Sequence, residues 1–169
     1  MPKPKQILKK SLKASLKAKL KDAKRIAILG VGSELKGDDA AGFVIATKLC
    51  SFFEKSKNIK VFLGGDAPEN LSGEIKKFKP QALIIIDAAD FQMKAGHIEL
   101  LDPKDLGGVS FSTHRLPLNI FADYLCKCFP CEVIIVAIQP LSLSFGVRLS
   151  KEVASCSKEV CRVIKEVLK

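Results

Sequence analysis

The chain has 169 residues, 47% of them hydrophobic, enough to bury a real core and the usual size of one compact domain. Its formal charge of +10 is not spread evenly: residues 1 to 25 hold ten Lys/Arg against one acid, Asp22, and the other 144 residues hold 18 basic and 17 acidic side chains. A body this close to neutral excludes a nucleic-acid-binding domain, and no apolar run approaches the length of about eighteen residues that crosses a bilayer.

The start, "MPKPKQILKK", has neither the apolar block nor the small-residue cleavage site of a secretory signal, so a cytoplasmic protein without membrane insertion is expected. Residues 7 to 24 read "ILKKSLKASLKAKLKDAK", in which Leu8, Leu12, Leu16 and Leu20 recur every four residues among lysines. That period predicts an amphipathic helix, its leucines packed on the domain and its lysines in solvent. Docking on a membrane surface or an acidic partner is the alternative for the same stripe. The chain thus divides into a basic N-terminal helix, 1–24, and a domain, 25–169.

Apolar runs then alternate with helical patterns. "RIAILGV" (25–31) precedes a helix from about Asp39 to Glu54; "IKVFLG" (59–64), a short polar segment and "ALIIIDA" (82–88) follow. "GHIELLD" (96–102) is more polar and suits an edge strand. "RLPLNIFADYLCKC" (115–128) is helical in pattern, "CEVIIVAIQP" (131–140) is a further buried strand, and residues 150–169 form a closing amphipathic helix. Uninterrupted apolar strands separated by helices predict a three-layer α/β/α sandwich around a mainly parallel, roughly five-stranded sheet.

Six cysteines in a chain from a reducing compartment are expected to pack as small apolar residues or stand as surface thiols. The cluster "CKCFPC" (126–131) supplies Cys126, Cys128 and Cys131, one ligand short of a structural zinc site, with no second pair or nearby His to complete it.

The stretch "ILGVGSELKGDDAAGFVIATKL" (28–49) opens like a nucleotide-binding turn, but Gly30, Gly32 and Gly37 do not have the G-x-G-x-x-G spacing. Asp38 and Asp39 would also repel a pyrophosphate from the helix start, where carboxylates suit capping or a cation. Asp87 ends the run "LIIID" and so stands at the carboxyl edge of the sheet, where open α/β sheets bind their ligands. Asp90 is read as turn chemistry and His97 as an edge-strand residue. His114, in "SFSTHRLPL", lies on the loop before a helix marked by Pro117. Asp39, Asp87 and His114 together offer two oxygens and one nitrogen, a set suited to nickel, zinc, iron or manganese. Neither a Ser/His/Asp or Cys/His arrangement nor an H-E-x-x-H motif is present.

From about Arg25 onward these motifs resemble the maturation endopeptidases of [NiFe] hydrogenases. "GVGSELKGDDAAG" is similar to that family's GxGNxLxxDDxxG opening, and "GGDAPEN" (64–70), "LIIIDAAD" (83–90), "LDPKDL" (101–106), "STHRLPLN" (112–119) and "AIQP" (137–140) follow in the family's order. The "APEN", "THxxPLN" and "IQP" pieces resemble most the HycI-like branch that serves formate-hydrogenlyase-type hydrogenases. The resemblance implies one proteolytic cut that removes the C-terminal extension of a hydrogenase large-subunit precursor after nickel insertion. It also implies that Asp39, Asp87 and His114 are the catalytic, metal-contacting residues. The nickel would then be borne by the substrate, with no permanent cofactor. Two positions depart from the family: Ser33 replaces the usual Asn, and Leu63 precedes Gly64-Gly65 where many members have Asp. A non-catalytic nickel-site chaperone of the precursor and a nucleotide-binding α/β module are the alternatives.

Overall fold

A computed structural model describes residues 4–106, 110–111 and 117–169. After helix α1 (Pro4–Leu20) the chain runs β1 (Ile26–Val31), α2 (Ala41–Phe53), β2 (Ile59–Gly65), α3 (Ser72–Phe78), β3 (Ala82–Asp90) and β4 (Ile98–Leu101). It continues through β5 (Ser110–Phe111), α4 (Leu118–Cys128), β6 (Glu132–Ile138) and α5 (Lys151–Val167). Short 3-10 turns at Gly37–Ala40, Pro68–Leu71 and Pro103–Asp105 connect these elements.

The sheet order is β2-β1-β3-β6-β4, with the two-residue β5 added to the end of β3. The first four strands of that order are parallel and β4 runs antiparallel to β6, as the polar character of residues 96–102 predicts for an edge. The sandwich and its parallel centre are those expected from the sequence, and β5 is an addition to the five strands counted there.

Every residue of β1 is buried, as are all of β3 except Asp90 and all of β6 except Glu132. Their side chains alternate between two cores. Ile28, Ile84, Ile86, Ile134 and Val136 meet α1, α2 and α5 on one face, whereas Leu29, Leu83, Ile85 and Ile135 meet α3 and α4 on the other. Covering both faces is why these strands read as unbroken apolar runs rather than as alternations.

From Leu12 onward the leucine stripe of α1 behaves as its period predicts; the side chain of Leu8 lies outside those described. Leu12, Leu16 and Leu20 are buried in the first core, and Lys13 Nζ reaches Glu166 on α5 at 2.7 Å. Helix α3 falls in what the sequence suggests is only a short polar segment. Seven residues with one fully buried side chain, Ile75, give too brief a periodic signal to stand out. Its end is set by Lys79 in the left-handed region, whose amide donates to Ile75 O at 3.0 Å.

Candidate active site

Strand β1 passes to β2 through α2 on one side of the sheet, and β2 passes to β3 through α3 on the other, with β2 and β3 flanking β1. The connections therefore diverge at the carboxyl ends of β1 and β3, the place where open α/β sheets form their ligand crevice. Asp39 leaves the end of β1 on the turn Gly37–Ala40, and Asp87 lies near the end of β3; both are completely buried.

Two glycines let these ends approach. A Cβ on Gly42 would stand 2.0 Å from Ile86 O and 2.4 Å from Val31 O, so the first turn of α2 rests directly on the backbones of β1 and β3. Gly32 has φ +122°, and a Cβ there would collide with the Asp39 carbonyl. The nucleotide-loop economy of "GVGSELKGDD" is thus a device for close packing, and it sets the turn carrying Asp39 against the strand carrying Asp87.

The adjacent aspartates divide the work. Asp38 is 1% exposed and acts as a clamp: Oδ1 accepts from Ser150 N at 2.6 Å, and Oδ2 accepts from Leu141 N at 2.8 Å and Ser142 N at 3.2 Å. These amides belong to the β6–α5 connection, so a buried carboxylate organises that loop and is compensated by it. Asp39 Oδ2 accepts from Ser33 N at 2.8 Å, which orients the carboxylate from the β1 side. Because the donor is a backbone amide, this bond does not depend on the side chain at position 33. Asp87 Oδ1 accepts from the next amide, Ala88 N, at 2.8 Å.

His114 lies outside the described residues, as do its neighbours 112, 113, 115 and 116. Among the described residues no group of three or more His, Cys, Asp and Glu could hold a metal ion. Asp90 is a turn residue, as expected: its Oδ1 accepts from Gln92 N at 2.8 Å and Gln139 Nε2 at 3.1 Å, and these bonds lower its pKa. Gln139, from "AIQP", is buried and also accepts from Phe91 N at 2.7 Å, so it ties the segment after β3 to the end of β6. His97 sits on the edge and meets Glu99 Oε1 at 2.6 Å through Nε2.

Cys156 and Cys161 pack in the core under α5. In the 126–131 cluster, burial pushes the Cys131 thiol up to about 12 and raises that of Cys126, which disfavours the thiolates a soft metal needs. Two residues escape a reading by motif spacing alone. Asp38 carries the same signal as Asp39 and differs only in what it faces. Glu69, in "APEN", has a buried Oε2 with no hydrogen-bond partner among the described residues.

The family model for HycI, hydrogenase maturation protease, matches residues 44–169. The chain belongs to the hydrogenase maturation protease family. The hydrogenase 3 maturation protease of Escherichia coli K12 is 39% identical over 119 residues, covering 70% of this chain and 74% of its own. A crystal structure of the [NiFe] hydrogenase maturation protease HycI from Thermococcus kodakarensis superposes with a TM-score of 0.84 at 29% identity, covering 91% of this chain and 98% of that one. The solution structure of the endopeptidase HycI from E. coli gives 0.72 at 33% identity, over 82% and 87% of the two chains. As a hydrogenase maturation protease the chain is a peptidase.

Proposed function

We propose that this endopeptidase makes one cut in a [NiFe] hydrogenase large-subunit precursor, removing its C-terminal extension after nickel has been inserted, and that it recognises the nickel the precursor carries. The observation that carries the reading is the placement of two fully buried carboxylates, Asp39 and Asp87, at the carboxyl ends of neighbouring strands where the chain reverses its winding. Buried carboxylates are costly unless they bind a cation or donors, and this edge is where open α/β sheets bind ligands.

In this reading Asp39, Asp87 and the imidazole of His114 contact the substrate's nickel. Two oxygens and one nitrogen suit a borderline divalent ion and leave coordination positions for ligands from the precursor. The Ser33 amide holds the Asp39 carboxylate in register, and the Gly42 contact keeps its turn on β3. Their shared task is to fix the nickel-bearing segment so that the scissile bond lies in the crevice, where orientation alone lowers the barrier.

The test mixes the purified protein with nickel-loaded precursor and follows the large subunit by mass spectrometry. A shortened subunit from loaded precursor, and none from nickel-free precursor, is expected. Residues that only orient a metal ligand already change affinity or activity about 10–100-fold, so Asp39→Asn and His114→Ala should each slow processing more than about 100-fold while leaving the circular dichroism unchanged. Full activity in both variants would remove the site assignment.

A further inference from the structure

Beside the crevice stands a surface that the cut itself does not require. Leu35, on the loop after β1, is 60% exposed, and Leu141, Phe145 and Val147, on the loop after β6, are 65%, 73% and 45% exposed. The two loops are stitched together: Asp38 N donates to Ser142 O at 2.9 Å and Gly146 N donates to Leu35 O at 2.8 Å. The Asp38 carboxylate adds its three bonds to Leu141, Ser142 and Ser150. An apolar ridge is thereby held in one shape by a buried charge, whereas a solvent loop with no partner needs neither the apolar side chains nor the clamp.

We propose that this ridge docks an apolar, uncharged stretch of the precursor polypeptide next to the cleavage crevice; the proposal rests on the precursor-processing function above. Three observations choose that occupant. The ridge is continuous with the site, since Leu35 lies just before the turn that carries Asp39 and β6, which leads into Leu141, pairs with β3 beside Asp87. Residues 140–150 contain one ionisable side chain, Arg148, and the Glu34 and Lys36 on either side of Leu35 are opposite in sign, so the surface carries little net charge and offers mainly apolar contact. A substrate that is a folded subunit must be gripped outside the few residues being cut, and a preformed surface loses less conformational entropy when it binds.

The experiment measures binding of nickel-loaded precursor by isothermal titration to the wild-type protein and to a Leu141→Ser/Phe145→Ser double variant. Both positions are exposed, so the fold should tolerate the change, which circular dichroism checks. A Phe52→Ser variant, at the far end of α2, serves as the surface control. Loss of two central apolar contacts should weaken binding about 30-fold or more in the double variant, with the control unchanged. Equal affinity in the double variant would overturn the proposal, as would a wild-type dimer in sedimentation that the double variant dissolves, because the ridge would then face a second copy. If wild-type protein binds precursor through the ridge but never shortens it, the processing function fails and the docking surface stands. If wild-type protein does not bind precursor at all, both fall.

Discussion

Asp38 and Asp39 are neighbours of one chemical type, and only what surrounds them separates their roles. Three amides from a distant loop converge on Asp38. Asp38→Asn keeps the shape but turns an amide NH₂ toward backbone donors, leaving at least one of them buried and unsatisfied. The expected loss is about 2–4 kcal/mol of unfolding free energy, read by urea denaturation with an unchanged slope. Asp38→Asn should keep cleavage in the protein that remains folded, whereas Asp39→Asn should abolish it. Loss of cleavage by both folded variants would contradict this division. Here the sequence was only half legible. Doubled acids at a helix start announce a cation or a cap, but which carboxylate faces the crevice depends on residues 141–150, a hundred positions away. His114, expected from the sequence on a loop before a helix marked by Pro117, lies outside the described residues.

Among the elements, those with strong periods were legible and the short ones were not. The four-residue leucine repeat identified α1 and its buried face, and the runs of Ile, Leu and Val identified β1, β3 and β6. Helix α3 and strand β5 carry too few residues for any period, and tertiary pairing rather than local preference creates them. For α1 the burial decides what the leucine stripe faces. Leu12, Leu16 and Leu20 are buried with the α5 stripe, so the hydrophobic face is occupied rather than waiting for a membrane. Each buried leucine contributes about 1.5–3 kcal/mol by area, less the entropy of ordering the helix. Deleting residues 1–22 should therefore lower the midpoint of thermal unfolding by about 5–15 °C while precursor processing at 25 °C keeps its rate. A large loss of processing by the folded truncated protein would give the lysine face a part in substrate binding instead.

At the scale of the whole molecule, the crevice and the core are built from the same strands. β1, β3 and β6 are covered on both faces and paired on both edges, and two of them carry the chain to Asp39 and Asp87. The outer strands differ: β2 has one buried residue, Phe62, and β4 has one, Ile98. The sequence showed this gradient as unbroken apolar runs at the centre and mixed runs at the edges. It could not show strand order, because that depends on which side of the sheet each helix covers. Stability in such a structure is expected to fall from the centre outward. In native-state hydrogen exchange, the amides of β1, β3 and β6 should exchange only through global unfolding, with one shared free energy in the range of about 5–15 kcal/mol. Those at the solvent edges of β2 and β4 should exchange through smaller openings. The site end of β1, from Leu29 to Val31, should belong to the slow group even though it borders a crevice, since α2 is seated on it through Gly42. Fast exchange confined to that end would mean that the catalytic edge opens independently of the core, and the rigid placement of Asp39 against β3 would have to be abandoned.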